Sequence, residues 1–281
     1  MKLSTFLVGT LAPIATLALE CYNEDFDHDP MNITAEHRVR ALTDLRDRAT
    51  ITIDLWIHML VPGPTAADGY VDATGLLRQV DYLQRQYNKW GFAFQVKPIS
   101  YALNAEWASD IDPQKAEKMR QLHRGDYKSL NVYCVKGAGG GVCSLPNSSG
   151  QPVDQTTLDG DGCFVPLDVC TSPNSGTLAH EIGHWFGLLH VFQGGCTGDG
   201  DFCADTAPQA NPSYGKMSIA GDLNSCPAGH SCSASQSDNV NNFMDYTDCS
   251  HEFTTCQGAR MSASYTNYRA NRAIAAGVLW K

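Results

Sequence analysis

His180-Glu181-Ile182-Gly183-His184-Trp185-Phe186-Gly187-Leu188-Leu189-His190 is the stretch from which the rest of this 281-residue chain can be read. It spells H-E-x-x-H-x-x-G-x-x-H. His180 and His184 are four apart, so on a helix they share one face, one turn above the other. Two imidazoles placed this way can hold one metal ion. On a continued helix His190 would be rotated about 240° from His184 and lie about 9 Å further on. The helix must therefore break between them. Gly187 is the residue that can break it, because glycine enters the left-handed region without steric cost. The turn then returns His190 as a third nitrogen ligand. Three protein ligands leave one position open for water, the pattern of a catalytic zinc site. Glu181 can face that water as general base. A buried helix carrying histidines by chance would explain neither the glycine nor His190. A purely structural zinc site would normally close its shell with a fourth Cys or His.

The surroundings agree with export. Lys2, the apolar run Thr5–Leu19 and small residues near Ala15 and Ala18 read as a signal peptide over residues 1–18. Pro13 interrupts a run already too short to span a membrane. Ten of the eleven cysteines follow residue 130, and an exported chain would pair them as disulfides. Asn32 and Asn147 head N-x-S/T sequons and are glycosylation candidates. The net charge of −10 argues against nucleic acid or an anionic membrane as partner. Protein or peptide substrates and a monomer are expected.

Residues 19–48 read as an N-terminal extension or short pro-segment, with a helix capped by Thr34 running to about Arg48. Ala49–Leu60 alternates and is β-branched, so it predicts a strand, and His58 within it is expected to be a core or sheet-face histidine. Thr74–Trp90 predicts an amphipathic helix with Leu76, Leu77, Val80, Leu83 and Tyr87 at helical spacing, ended by Gly91. Strands are expected over Phe92–Tyr101, Asn131–Val135 and Cys163–Leu167, a helix over Asp112–Arg124, and a flexible glycine run over Gly137–Gly141 before Val142–Leu145. After His190 the chain is a Gly-, Asp- and Cys-rich loop region held by disulfides. Asp199, Asp201 and Asp205 are either ordinary turn carboxylates or oxygen ligands for Ca2+. Gln257–Ala275 predicts a final helix with Met261, Tyr265, Tyr268 and Ile274 as its apolar positions.

The long zinc motif is the signature of the metzincin metalloproteases. Asn241-Asn242-Phe243-Met244-Asp245-Tyr246 resembles the methionine turn that lies beneath the zinc in that clan. His180–Gly195, Cys196–Asp201, Asp205-Thr206, Cys226-Pro227 and Asn242–Tyr246 resemble the pappalysin-like branch, and within it the secreted extracellular metalloproteases of fungi. The resemblance is firm over residues 175–262 and looser over 50–175. It implies an α+β fold: a twisted mixed sheet, a zinc-site helix, and a disulfide-rich irregular C-terminal subdomain, with residues 49–281 as the catalytic domain. It implies a zinc endopeptidase with Zn2+ on His180, His184 and His190, Glu181 as base, Met244 as the turn methionine, and Tyr246 either near the zinc as an oxyanion stabiliser or simply packed. It implies a Cys226–Cys249 bridge and a partner for Cys232 in Cys196 or Cys203. The remaining cysteines suggest one bridge tying the loop to the last helix and two bracing the segment ahead of the zinc helix. Cys21 is left over, as a thiolate latency switch or an unassigned thiol. A binding protein that has lost catalysis, or a disulfide-framed adhesive module, are the rival readings, and intact ligands and base argue against the first.

Overall fold

The computed structural model describes residues 28–34, 37, 50–108, 120–136, 140–213, 226 and 228–280. The expected leader over 1–18, Cys21, and most of the helices expected over 34–48 and 112–124 lie outside the described residues.

A six-stranded sheet is built on β1 (Ile51–Val61). Its β-branched alternation places Ile53, Leu55, Ile57 and Met59 in the main core, while Leu60 joins a second cluster with Tyr133, Val135 and Phe164. Both faces of β1 are therefore buried over its second half, as expected of a parallel strand in a covered sheet. Along one edge β1 pairs in parallel with β2 (Phe92–Val96) and then with β3 (Ser100–Leu103). The single strand expected over Phe92–Tyr101 is thus two. Pro98 has no N–H to give to a ladder, and the strand breaks around it. On the other side β1 pairs with β4 (Leu130–Val135), and β4 with β6 (Cys163–Pro166), both in parallel. The short β5 (Val142–Cys143) is antiparallel to β6 and ends the strand order, making the sheet mixed.

Helix α1 (Thr74–Asn88) lays Leu76, Val80, Leu83 and Tyr87 into the core. Leu77 was expected there too, but the register turns it outward, 53% exposed. The helix stops two residues before the expected Trp90, and Gly91, at φ +77°, carries the chain into β2. Helix α2 (Gly176–Trp185) packs Leu178, Ala179, Ile182 and Trp185 into the same core. Between α2 and helix α3 (Thr255–Tyr265) the described residues contain no helix or sheet strand beyond isolated bridges. This stretch is the irregular subdomain.

Helix α3 opens on a capping box: Thr254 accepts from the Gln257 N–H, and the Gln257 side chain accepts from the Thr254 N–H. It is shorter than the helix expected over Gln257–Ala275. A π-helical turn follows at Thr266–Ala270, and Ile274 pairs with Val153 instead of lying on the helix.

Among the described residues there are four disulfides: Cys134–Cys170, Cys143–Cys163, Cys196–Cys232 and Cys226–Cys249. The first two brace β4, β5 and β6 ahead of α2. The third resolves the partner of Cys232 as Cys196. The loop-to-helix bridge is not formed: Cys203 and Cys256 meet in a thiol hydrogen bond.

Candidate active site

Helix α2 ends one residue after His184, at Trp185, through a Schellman motif. The N–H of Gly187 donates to His184 O at 2.7 Å and that of Leu188 to Gly183 O at 3.0 Å. Gly187 is the left-handed residue of the motif, at φ +91°. The chain reverses there, and His190 returns to the face carrying His180 and His184. The Nε2 atoms of His180 and His184 are 3.1 Å apart, as are those of His184 and His190.

Three nitrogen lone pairs held this close repel one another unless a cation sits among them. Ligands at about 2.0–2.1 Å around a tetrahedral zinc lie about 3.3 Å from each other, so the spacing fits that ion. The second ring nitrogens reinforce the fit. His180 Nδ1–H donates to Phe243 O at 2.6 Å and His184 Nδ1–H to Leu188 O at 2.8 Å. These bonds fix the tautomer that leaves Nε2 free to bind metal. All three rings are buried. Burial first, and neighbouring imidazoles next, lower the pKa of His180 to about 3 and that of His190 well below normal; burial lowers that of His184 to about 4. The rings are therefore neutral, as metal ligands must be.

The turn at 241–246 lies directly beneath. Met244 is fully buried, and a Cβ on Gly183 would come within 2.6 Å of its sulfur, so the helix can settle on the thioether only because residue 183 is glycine. Met244 O accepts from the Val191 N–H at 3.1 Å, which ties the turn to the residue after His190. Asn242 holds the turn to α3 through a reciprocal amide pair with Gln257, at 2.8 and 3.1 Å. The Tyr246 ring lies 5.4 Å from that of His180 and 5.0 Å from that of His190.

Glu181 is 1% exposed and lies against the edge of the sheet. A Cβ on Gly141 would fall within 2.9 Å of Glu181 Oε1, so the chain entering β5 passes directly beside this carboxylate.

Other expected positions lie apart from this cluster. His58 is buried between Ser100 Oγ at 2.8 Å and Asn131 Oδ1 at 3.0 Å and stacks on Tyr133. Asp199, Asp201 and Asp205 do not gather around one point among the described residues. Asp201 is buried and accepts from the Cys203 N–H and the Thr206 hydroxyl, while Asp205 accepts from the Cys256 N–H. Asn32 is exposed and Asn147 half-buried.

Four supporting residues escaped the sequence reading: Asp161, Arg269, Arg260 and Asp29. The Arg269 Nε–H donates to Trp185 O at 3.0 Å and the Arg260 Nε–H to Gly187 O at 2.9 Å. Two buried arginines thus take up carbonyls at the end of the zinc-motif helix. Each lies more than 70 residues from its carbonyl partner, and no short motif could announce it.

A family model described as pregnancy-associated plasma protein-A, the M43 peptidases, matches residues 114–266. An extracellular metalloprotease of Sordaria macrospora is 36% identical over 237 residues, covering 81% of this chain and 79% of that protein. One from Colletotrichum graminicola is 34% identical over 294 residues, covering 96% and 100%. Mature mirolysin of Tannerella forsythia, solved in complex with a cleaved peptide, shares the fold with a TM-score of 0.59 at 19% identity, over 80% of this chain and 99% of that one.

Proposed function

The chain belongs to the pappalysin family of metzincin zinc metalloproteases, and on that premise we propose that it is a secreted endopeptidase whose chemistry is carried by His180, His184, His190 and Glu181. The observation that carries this reading is the convergence of three neutral, buried Nε2 atoms, with a buried carboxylate, Glu181, on the same helix next to the first of them.

A zinc ion held by the three imidazoles would supply a Lewis acid that acidifies a water and polarises the scissile carbonyl. Glu181 takes the proton of the attacking water and returns it to the leaving amine nitrogen. Its burial, with Gly141 against it, keeps bulk water from competing for that proton. Tyr246, whose ring packs on two of the ligand rings, would donate a hydrogen bond from its hydroxyl to the developing oxyanion. The substrate would lie as an extended strand paired with the sheet edge near Gly139–Leu145, because β5 ends the strand order among the described residues.

Export is supported by the relatives being named extracellular, by four disulfides, and by the described residues holding no helix long and apolar enough to cross a membrane. Monomeric action on protein or peptide chains, glycans at Asn32 and Asn147, and a catalytic domain over 49–281 belong to the same proposal. A Ca2+ ion at the loop carboxylates belongs to it too. Asp201 is the one buried carboxylate of the loop trio, and one of its oxygens has no protein partner.

The test is hydrolysis of a denatured protein by the secreted enzyme and by Glu181→Ala, each with and without a zinc chelator. Loss of hydrolysis in the variant, with one zinc per chain retained, is expected. Equal hydrolysis by Glu181→Ala would overturn the assignment.

A further inference from the structure

Residues 29–33, within the segment that the sequence reads as extension or pro-segment, pack beside the site. Asp29–Asn32 forms a turn, with the Asn32 N–H on Asp29 O at 2.9 Å. The Asp29 carboxylate accepts from the Met31 and Ile33 N–H groups at 2.9 and 3.1 Å. Met31 and Ile33 are buried, at 2% and 3% exposure, against Ala259 and Ala263 of α3, with Leu145 packed on the same cluster. Tyr268 donates its hydroxyl to Met31 O.

The carboxylate of Asp29 also takes both terminal nitrogens of Arg260, each at 2.6 Å. The Arg260 side chain is fully buried and its Nε–H goes to Gly187 O. Gly187 itself is closed in from the same side: a Cβ there would meet Met31 Cγ at 3.3 Å and Ser264 Oγ at 2.5 Å.

We propose that residues 29–33 are a permanent strap of the active enzyme and that Asp29 is a positioning residue, holding through Arg260 the Gly187 turn that returns His190 to the ligand cluster. The inference rests on the reading of His180, His184 and His190 as the zinc ligands. Its physical basis is geometric. A guanidinium with a flexible or missing counter-ion can rotate, whereas one clamped by two parallel charge-assisted bonds points its Nε–H in one direction. That direction is the carbonyl of the residue whose left-handed conformation closes the site. A segment discarded on maturation would leave this buried guanidinium without its carboxylate and expose Met31's seat beside Gly187. The maturing cut therefore falls before Asp29.

Two measurements test this. The first is the N-terminal mass of the active secreted protein. A start at or before Asp29 is expected; full activity from a chain starting after Ile33 would overturn the proposal. The second compares thermal unfolding of zinc-loaded and zinc-stripped protein, and zinc retention against a chelator, in wild type, Asp29→Asn and Arg260→Lys. A brace with no bearing on the site would lower the loaded and stripped midpoints equally. Positioning predicts that zinc raises the midpoint less in both variants, with about ten-fold weaker zinc retention, and a fall in kcat at near-constant KM. Arg260→Lys keeps a charge for Asp29 but cannot also reach Gly187 O, so it should share the defect. Wild-type zinc retention in both variants would overturn the proposal. Failure of the wild type itself to bind zinc would instead overturn the ligand assignment.

Discussion

The carboxylate of Asp161 meets the guanidinium of Arg269 through two parallel hydrogen bonds of 2.9 and 3.0 Å, with both side chains buried. Asp161 Oδ2 also accepts from the Trp185 indole N–H at 3.0 Å, and the guanidinium lies 3.8 Å over the Trp185 ring. Asp161 Oδ1 accepts in addition from the Ser144 hydroxyl just beyond β5. One ion pair thus joins the proposed substrate edge to the end of the zinc-motif helix.

Breaking that pair from one side leaves a buried charge uncompensated. Asp161→Asn or Arg269→Leu should each destabilise the protein by about 3–5 kcal/mol, read as a lowered urea midpoint. The double variant should recover part of the loss. Additive losses in the double variant would show that the two side chains act separately.

Gly187→Ala should abolish activity through loss of zinc. The left-handed conformation costs a non-glycine residue about 1–2 kcal/mol, and the new methyl would press on Ser264 Oγ at 2.5 Å. Zinc content of the purified variant is the readout. Ser264→Ala in the same chain removes that contact and should restore part of the zinc.

Tyr246→Phe keeps the ring packing against His180 and His190 and removes only the hydroxyl. If the hydroxyl stabilises the oxyanion, kcat falls by about 10²–10³ with zinc and KM unchanged. An unchanged kcat would leave Tyr246 as a packed aromatic.

Two carboxyls should act oppositely on acid stability. Burial raises the Asp29 pKa, but the hydrogen bonds and charge of Arg260 outweigh it and hold the group below its ordinary 3.8. A depressed native pKa stabilises the fold above the unfolded value, and that stability is lost as pH falls through 3.8 toward the native pKa. Wild type should therefore exceed Asp29→Asn in stability at pH 6 and converge on it below about pH 3.8. Burial pushes Asp201 up to about 6, so its ionisation works against the fold between its unfolded 3.8 and that value. Without calcium, Asp201→Asn should stabilise the protein above pH 6. Reversal of that sign on adding calcium would identify Asp201 as a ligand.

Cys203 and Cys256 should be oxidised to a fifth bridge in the exported enzyme. Their sulfurs lie within 4.8 Å of each other with Asp205 alongside. The hydrogen bond that the Cys203 thiol gives to Cys256, then burial, raises the Cys203 pKa, so reduced Cys203 is a poor nucleophile once folded. Exchange with a disulfide donor during export would move two electrons and two protons to that donor and join the sulfurs. A non-reduced peptide map should contain the 203–256 linked peptide. Two alkylated thiols with a second zinc per chain would make the trio a metal site instead.

The sequence by itself determined the parts whose causes are local. H-E-x-x-H places two imidazoles on one helical face, Gly187 is the residue that allows the reversal, and alternation in 51–61 and helical spacing in 74–88 set β1 and α1. Resemblance added Met244 and the Cys226 partner. Only the tertiary structure decided what rests on chain segments distant in sequence. Strand order depends on which edge β1 offers, and Leu77 faces outward because α1 is seated by its neighbours. Arg260 and Arg269 look like ordinary surface cations in sequence. Each becomes a buried anchor because a carboxylate 231 or 108 residues away neutralises it and a carbonyl at the end of the zinc-motif helix takes its Nε–H. Periodicity reports which face of an element is buried; it carries no information on which distant charge will meet it there.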